Sequence, residues 1–321
     1  MKNCIAESIL PTKSSLMRYH HDCLSCSKRQ GNRIYNIALG GEPGSSEHYC
    51  EELQHELNSK IDAAEPGLSP AQLSLMAIRT AQKYAGVEDP FVEQKKQNNQ
   101  LAISLESNLR RRIETSDDRI HTACQLAACG NIIDLGPADS FDIVATIERV
   151  LNDGFQRDEY ASFVAELDRI HQRDAAPKLV YCCDNAGEIF FDRLLIEELQ
   201  RAYPRLKIIA VVRNAPVLND ATMEDARAVG LHHVVPVIDN GNDLLGTVMD
   251  FAGDELRAAF ADADVIISKG QANFETLSHQ PELIFFILKA KCDVIASALN
   301  VKLYDAVMTR SPFAEPQVPV I

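Results

Sequence analysis

The chain has 321 residues, 46% of them apolar and 24% charged, which is typical of a soluble globular protein whose core needs no disulfides. Its 46 acidic and 32 basic residues give a formal net charge of -14, and no basic patch offsets it, so we expect no nucleic-acid partner and no membrane partner. No run of 18 apolar residues predicts a membrane-spanning helix, and the first residues lack the apolar stretch of a signal peptide. Nine cysteines are an odd number, which favours reduced thiols and a cytoplasmic location.

The N-terminal half of the chain has a helical pattern. Residues 1–20 show no steady period, and we expect them to be poorly ordered. A helix is predicted after Ser69-Pro70, where a serine N-cap precedes a proline at the first helical position. Further helices are predicted over 91–115, 117–130, 140–151 and 157–171. No strand is predicted before about residue 178, so we predict an all-helical domain over 21–176.

The pattern changes after residue 177, where short apolar strands begin to alternate with helices. Near-continuous apolar strands in this order are typical of a mostly parallel sheet that helices cover on both faces. The fold class predicted for 177–321 is therefore α/β, with three layers. The predicted strands are 178–183, 207–212, 233–238, 264–268, 283–289 and 293–297, and the predicted helices are 188–202, 222–229 and 253–260.

Polar segments follow four of the predicted strands, although the strands themselves are almost purely apolar. These segments are Asp184–Glu188, Arg213–Asp220, Asp239–Asp243 and Lys269–Glu275. Ligands of open parallel sheets bind at the carboxyl ends of the strands. We therefore expect a binding site where these segments meet.

Asp184, Asn185 and Asp220 are the candidate metal ligands in these segments. Two carboxylates and an amide oxygen suit Mg²⁺ or Mn²⁺ better than zinc. A turn and a helix cap would account for Asp184 and Asn185 alone. Because all four strand ends carry polar groups, we favour the metal site.

Four other side chains in these segments are candidates for catalysis or substrate binding. Lys269 precedes Gly270, so it can meet an anion as a point charge, unless it is an ordinary surface lysine. Arg213 is a second anion-binding candidate or the partner of a nearby acid, and Asn273 fits substrate binding and helix capping equally well. Glu188 either complements the dipole of its helix or orients a water beside a bound metal.

Cys23 and Cys26 form the one closely spaced cysteine pair in the N-terminal region, Cys23-Leu24-Ser25-Cys26. A four-cysteine zinc ribbon needs a second pair of similar spacing, which the sequence lacks. The pair remains open to three interpretations: metal binding with a third thiol, redox chemistry, or simple packing.

These segments together resemble the damage-control phosphatases, the metal-dependent family first described as domain of unknown function 89. The similarity covers roughly residues 20 to 302, and the cysteine pair resembles the stand-alone prokaryotic branch. One departure is Asn214, where a small or acidic residue is expected. The segments that carry the resemblance are Asp184–Glu188, Arg213–Asp220, Lys269–Glu275, Gly130-Asn131-Ile132-Ile133-Asp134, and Asp89-Pro90-Phe91 with Lys95, Asn98, Leu101 and Ala102.

The resemblance implies a helical domain packed on a Rossmann-like α/β domain, with the active site in the cleft between them. It implies hydrolysis of phosphate monoesters of small metabolites, such as sugar phosphates or damaged phosphometabolites, with a divalent cation as cofactor (Mg²⁺, Mn²⁺, Co²⁺ or Ni²⁺). Asn131 and Asp134 alone would fit a helix end. The implied roles are metal binding for Asp184, Asn185 and Asp220, phosphate contact for Lys269, and lining of the cleft for Asn131 and Asp134.

Three alternatives remain open at the level of sequence. Asp184 can be a metal ligand or a nucleophile that forms an aspartyl phosphate. Haloacid-dehalogenase-type phosphatases carry a second acid two residues after the nucleophile, and Ala186 stands there, which favours the ligand role. An S-adenosylmethionine-dependent protein-carboxylate methyltransferase is disfavoured because the first strand-end loop has one glycine and two acids. A non-catalytic protein that binds phosphorylated metabolites is the third class.

Overall fold

The computed structural model describes residues 17–41, 47–129 and 140–311, and within 140–146 the backbone alone. The predictions for residues 1–16, Asn131 and Asp134 lie outside the described residues. The elements of the first half are α1 (His21–Ala38), α2 (Glu51–Asp62), α3 (Pro70–Ala85), α4 (Val92–Ser104), α5 (Glu106–Thr115), α6 (Arg119–Cys129), α7 (Ser140–Asp153), β1 (Arg157–Asp158) and α8 (Tyr160–His171).

The second half alternates strands and helices. Its elements are β2 (Lys178–Cys182), α9 (Glu188–Ala202), β3 (Lys207–Val212), α10 (Met223–Ala228), β4 (Val237–Asp239), α11 (Asp254–Ala261), β5 (Val265–Lys269), α12 (Gln271–Leu277), β6 (Ile284–Lys289), α13 (Asp293–Leu299) and β7 (Ala306–Arg310), with short 3-10 turns at Leu231–His233 and Met249–Phe251. Within the described residues, no helix is both long and apolar enough to span a membrane.

The helix predicted after Ser69 is confirmed, and its start has a local cause. The Ser69 hydroxyl accepts a hydrogen bond from the Gln72 N–H (3.2 Å), and the Gln72 side chain accepts one from the Ser69 N–H (2.8 Å). This reciprocal pair satisfies two donors at the helix start. The single helix predicted over 91–115 is wrong, because the chain breaks at Leu105 into α4 and α5. There the Ser104 hydroxyl bonds back to the Leu101 carbonyl and competes with the helical pattern.

The seven strands form one sheet in the order β1-β7-β6-β5-β2-β3-β4. Every neighbouring pair is parallel except β6 with β7. Strand order reverses at β2, which pairs with β3 on one side and β5 on the other. The carboxyl ends of β2 and β5 therefore flank the point where α/β sheets bind ligands.

Several predicted strands differ from the structure. The expectation of no strand before residue 178 is wrong, because Arg157 and Asp158 pair with β7. The run 293–297 is helical: Ile295 and Leu299 are both buried, at helix spacing. The strand predicted over 233–238 is shortened to β4, because Pro236 lacks the N–H that a strand interior needs.

Both faces of the sheet are buried, which confirms the three-layer α/β fold. Tyr181 and Ile267 pack on one face against a cluster that includes residues of α6 and α9. Val180 and Ile266 pack on the other face against residues of α11, α12 and α13. Because α6 packs beside α9, part of the helical half belongs to the helical layer that covers this face of the sheet. The domain boundary at 176/177 stays a prediction.

Helices α1 and α3 lie over the carboxyl ends of the strands. Ile34 of α1 and Leu75 of α3 share an apolar cluster with Val217, Leu245 and Val248, which lie in the segments after β3 and β4. This contact places one face of α1 opposite the strand ends, and a cavity separates the two.

Candidate functional site

The site lies at the sheet's reversal point, where two backbone hydrogen bonds join the loops after β2 and β3. The Ala221 N–H donates to the Asp184 carbonyl (2.7 Å), and the Ala186 N–H donates to the Asn219 carbonyl (2.9 Å). Within the loop after β3, the Arg213 N–H donates to the Ala221 carbonyl (2.8 Å). Residues 36 positions apart in the chain, at 184 and 220, are thereby held together.

Asp184, Asn185 and Asp220 converge at the wall of one cavity of about 640 Å³. All three side chains are buried, and Asn185 forms a backbone bridge with Asp220. The Asn185 amide nitrogen donates to Asp184 Oδ2 (3.0 Å) and to Glu188 Oε1 (2.8 Å). Because the nitrogen is used in this way, the amide oxygen is the atom that Asn185 offers to a cation.

The charge around these three candidate ligands is unfavourable for the protein alone. Burial raises the pKa of Asp184 well above its ordinary value, and the nearby carboxylates of Glu188 and Asp220 raise it further. Burial also raises the pKa of Asp220, although Arg213 acts in the opposite direction. A cation held between the two aspartates would offset this repulsion.

The donor set therefore fits a hard divalent cation, which prefers carboxylate and amide oxygens. Within the described ranges, no group of three or more His, Cys, Asp or Glu side chains is arranged to hold a metal ion. The predicted set has two carboxylates and one amide, and Mg²⁺ characteristically keeps several waters beside so few protein ligands.

Arg213 and Asn273 form a buried hydrogen-bond network next to Asp220. Arg213 Nε donates to Asp220 Oδ2 (2.6 Å), and its terminal nitrogens donate to Thr247 Oγ1 (3.1 Å) and Asn273 Oδ1 (3.0 Å). The Asn273 nitrogen donates to the Cys183 and Lys269 carbonyls. Both side chains are buried among protein partners, so the geometry shows a positioning role, and the predicted substrate contact stays a prediction.

Lys269 is also buried, with 1% of its surface exposed. Its ammonium donates to the Ala127 carbonyl (2.7 Å) and to Asp192 Oδ1 (2.8 Å), and it lies 3.7 Å from Glu188 Oε2. Burial alone would lower the pKa of Lys269, but Asp192 and Glu188 raise it above its ordinary value. Lys269 is thus a fixed positive charge beneath Glu188, and its predicted phosphate contact stays a prediction.

Asp192 is a site residue that the sequence analysis missed. It is fully buried and accepts hydrogen bonds from Tyr181 and Lys269. A signal was present: Asp192 lies four residues after Glu188, on an otherwise apolar face of α9.

Two glycines let the chain pass close to the site. A Cβ on Gly270 would lie 2.0 Å from Asp184 Oδ2, and Gly270 has a φ of +81°. Gly187 has a φ of +82°, and its N–H donates to Asn99 Oδ1 (2.7 Å). Side chains at these two positions would strain the backbone and, at Gly270, displace Asp184.

Helix α4 supports the loop after β2, which carries two of the candidate metal ligands. Asn99 bonds to Gly187 and also donates to Asp225 Oδ1 (2.8 Å). Lys95 lies 3.1 Å from Asp89 and 3.8 Å from Asp225. The segment around Lys95 and Asn99 therefore anchors the strand-end loops.

The segment after β4 braces the loop after β3. The Asn240 side chain accepts a hydrogen bond from the Asn214 N–H (2.9 Å) and is fully buried. This third polar strand end is therefore structural, and within the described part of the chain its residues do not line the main cavity.

Lys291 is a second residue that the sequence analysis missed. It lines the main cavity, and with Lys269, Asp184 and Glu188 it also lines a small polar cavity of about 10 Å³ beside it. Its charge acts to lower the pKa values of Asp184 and Asp220. Lys291 follows β6, so the same strand-end rule, extended to that strand, would have found it.

Comparisons with known proteins agree with this geometry. The sequence pattern of the damage-control phosphatase ARMT1-like domain matches residues 19–307. A damage-control phosphatase of Pyrococcus horikoshii is 31% identical over 92% of this chain and 99% of its own length. A damage-control phosphatase of Archaeoglobus fulgidus is 35% identical over 74% of this chain and 81% of its own length.

A solved structure shows the same fold. The crystal structure of a DUF89-family protein from Pyrococcus horikoshii superposes with a TM-score of 0.77 at 28% identity. The match covers 92% of this chain and 99% of that chain. The polar strand ends, the mixed sheet and the sequence similarity have a common origin: the chain belongs to the family of proteins with a damage-control phosphatase ARMT1-like domain.

Proposed function

We propose that this protein is a divalent-metal-dependent phosphatase that hydrolyses phosphate monoesters of small metabolites. The observation that carries the proposal is the meeting of Asp184, Asn185 and Asp220 at the wall of a 640 Å³ cavity. The two relatives named damage-control phosphatases support the reaction class. A cavity of this size suits a sugar phosphate or a similar metabolite.

In this proposal Asp184, Asn185 and Asp220 hold Mg²⁺, Mn²⁺, Co²⁺ or Ni²⁺. When bound, such a cation neutralises charge on the phosphoryl group and makes water a stronger nucleophile. Asp184 acts as a ligand rather than a nucleophile, because Ala186 occupies the position where an aspartyl-phosphate enzyme carries its second acid.

The chain's own side chains supply orientation and fixed charge. Lys291 holds the phosphate oxygens as a point charge. Lys269 lines the same small cavity and adds a second positive charge. Glu188 fixes the Asn185 amide through its Oε1 and orients the attacking water. Arg213 keeps the Asp220 carboxylate in place. Phosphoryl transfer depends mainly on such positioning and electrostatics.

The test is hydrolysis of p-nitrophenyl phosphate by metal-free protein, with Mg²⁺, Mn²⁺, Co²⁺ and Ni²⁺ added in turn. We expect turnover with at least one metal and its loss in Asp184→Asn. Asp250→Asn removes an exposed carboxylate outside the cavity lining and is the matched control, so it should keep full activity.

Three outcomes contradict the proposal. Turnover that is equal with and without metal would exclude the metal-dependent reaction. Full activity of folded Asp184→Asn would place the reaction elsewhere in the molecule. If the generic substrate is not hydrolysed, a panel of sugar phosphates decides, and no release of phosphate from any of them would refute the assignment.

A further inference from the structure

Three cysteine thiols meet at the same cavity, although they come from opposite ends of the chain. Cys23 and Cys26 lie in the first two turns of α1, and Cys292 is the N-cap residue of α13. All three line the 640 Å³ cavity, and each is a free thiol. The closely spaced pair that the sequence left unexplained is therefore located in the wall of the same cavity as the candidate metal ligands.

The helix brings Cys23 and Cys26 within reach of each other. Residues i and i+3 of an α-helix have Cα atoms about 5 Å apart. Disulfides form at Cα separations of about 4.4 to 6.8 Å. Bringing the Cβ atoms closer requires a local 3-10 turn, which helix N-termini adopt readily and in which positions i and i+3 eclipse. A bond between Cys23 and Cys26 can therefore form without unfolding α1.

The two thiols differ in environment. Cys26 is exposed, whereas Cys23 is half-buried. Burial raises the pKa of the Cys23 thiol, whereas a hydrogen bond from the backbone at His20 acts to lower it. The neighbouring Cys292, Glu275 and Cys26 raise this pKa further. Cys26 is thus the thiol that meets a reagent from solvent, and Cys23 is the one placed to react second.

The cysteines of the core and Cys292 are less suited to this role. Four of them, Cys124, Cys129, Cys182 and Cys183, are buried in the core. Cys292 accepts a long hydrogen bond (3.6 Å) from the Gln271 side chain, which also binds Glu275 (3.0 Å). Together with the missing three-ligand metal arrangement among the described residues, this favours thiol chemistry over metal binding.

We propose that Cys23 and Cys26 form a reversible dithiol–disulfide site in the wall of the cavity, with low-molecular-weight disulfides such as glutathione disulfide as its oxidants. The Cys26 thiolate attacks one sulfur of the oxidant, forms a mixed disulfide and releases one thiol. The Cys23 thiolate then attacks the Cys26 sulfur and releases the second thiol. The protein gives up two electrons, the oxidant becomes two thiols, and both thiol protons end on them.

This inference goes beyond the phosphatase reaction and does not depend on it. Transient disulfides of this kind are the form in which reducing compartments use cysteine pairs. Because Cys23 and Cys26 share a cavity with Asp184 and Asp220, the oxidised pair would line the same cavity as the candidate metal site.

The experiment maps the thiols of the full-length protein directly. Reduced protein is equilibrated with glutathione buffers of rising oxidised fraction, quenched with acid, labelled with N-ethylmaleimide and digested with trypsin. Cleavage after Arg18 and Lys28 leaves both cysteines in one peptide, residues 19–28. We expect this peptide to carry neither label and to be about 2 Da lighter than the unlabelled reduced peptide, the mass of two hydrogens. The peptides carrying Cys50 and Cys292 should stay labelled.

Two variants sharpen the assignment. Cys50→Ser removes a half-buried thiol outside the cavity lining and should leave the oxidation of peptide 19–28 unchanged. Cys26→Ser should leave Cys23 labelled in every buffer. Since the wild-type mapping alone decides, the proposal remains testable if Cys26→Ser does not fold.

Four results would overturn the proposal. Both cysteines could remain labelled in every buffer, or Cys26 could carry glutathione without closing onto Cys23. A cross-link between Cys26 and Cys292 would assign the chemistry to another pair. Zinc bound stoichiometrically to reduced protein, protecting both thiols from label, would identify a metal site instead.

Discussion

Gly270→Ala is the substitution whose effect the structure specifies most closely. Gly270 follows β5 with φ +81° and ψ +166°, a conformation that L side chains rarely adopt. A Cβ there would lie 2.0 Å from Asp184 Oδ2 and 2.5 Å from Asp184 Oδ1. Side-chain carbons keep at least 3.0 Å from such atoms, so the carboxylate or the Gly270 backbone must move by about 1 Å.

Two effects follow with different magnitudes. The backbone conformation alone costs about 1 to 3 kcal/mol in the free energy of unfolding when a Cβ is added. A displacement of about 1 Å in a catalytic constellation lowers turnover by about 100-fold. We therefore expect Gly270→Ala to be moderately destabilised and almost inactive, with weakened metal binding.

The measurements are kcat/KM for p-nitrophenyl phosphate with the best metal, the midpoint of urea unfolding, and the rise in Tm on adding that metal. Gly86→Ala is the matched control: Gly86 also has a positive φ (+67°), but no atom lies within 4 Å of its added Cβ. It should lose about 1 kcal/mol of stability and keep its activity. A folded Gly270→Ala with normal kcat/KM and a normal metal-induced Tm shift would refute the packing argument.

Three further substitutions test the supports of the site. Asp192→Asn should lower the free energy of unfolding by about 3 kcal/mol in urea titrations, because it leaves the buried Lys269 ammonium without its nearest carboxylate; a loss below about 1 kcal/mol would contradict this. Burial raises the pKa of Glu275 from 4.5 to about 7, so the wild type loses stability as the pH rises between those values, by at most about 3 kcal/mol. Glu275→Gln does not titrate, so its free energy of unfolding relative to the wild type should increase from pH 5 to pH 8. An equal difference in the free energy of unfolding at both pH values would exclude the effect. Asn99→Ala should lower the free energy of unfolding by about 1 to 3 kcal/mol, because the Gly187 N–H loses its acceptor; unchanged urea unfolding would show that another group replaces it.

The fold could be predicted wherever the local pattern was strong. The bounds of α9 and β3 agree with the predicted ranges because each element has a clear apolar period and a distinct start. The segment 293–297 was misassigned because a short apolar run does not distinguish a strand from a buried helix. Strand β1, with only Arg157 and Asp158, forms because β7 offers it an edge, which no local pattern indicates.

The convergence of three candidate residues was predictable, but their partners were not. The strand-end rule identified Asp184, Asn185 and Asp220, because the carboxyl ends of neighbouring strands must meet. It could not show that Lys269 donates a hydrogen bond to Asp192, a buried acid of α9, or that Arg213 donates one to Asp220. Such contacts join residues from distant segments, and they depend on side-chain directions that only the folded chain defines.

The balance of buried charge connects these contacts to the proposed cation. Within the described part of the chain, the acids Asp184, Glu188, Asp192 and Asp220 are buried together around the reversal of the sheet. Two fully buried cations face them: Lys269 is bound to Asp192, and Arg213 is bound to Asp220.

Among the residues that the structure describes, no cationic side chain lies at hydrogen-bonding distance from Asp184 or Glu188, and the Lys269 ammonium is 3.7 Å from Glu188 Oε2. The free energy of so much buried charge is high unless a further cation offsets it. Lys291, at the cavity edge, offsets part of it. A divalent cation between Asp184 and Asp220 would offset the remainder, and Lys291 would then be released to face a phosphate. On this argument the positioning residues do more than hold the loops: by neutralising Asp192 and Asp220, they leave an excess of negative charge at Asp184, where the proposed site needs it.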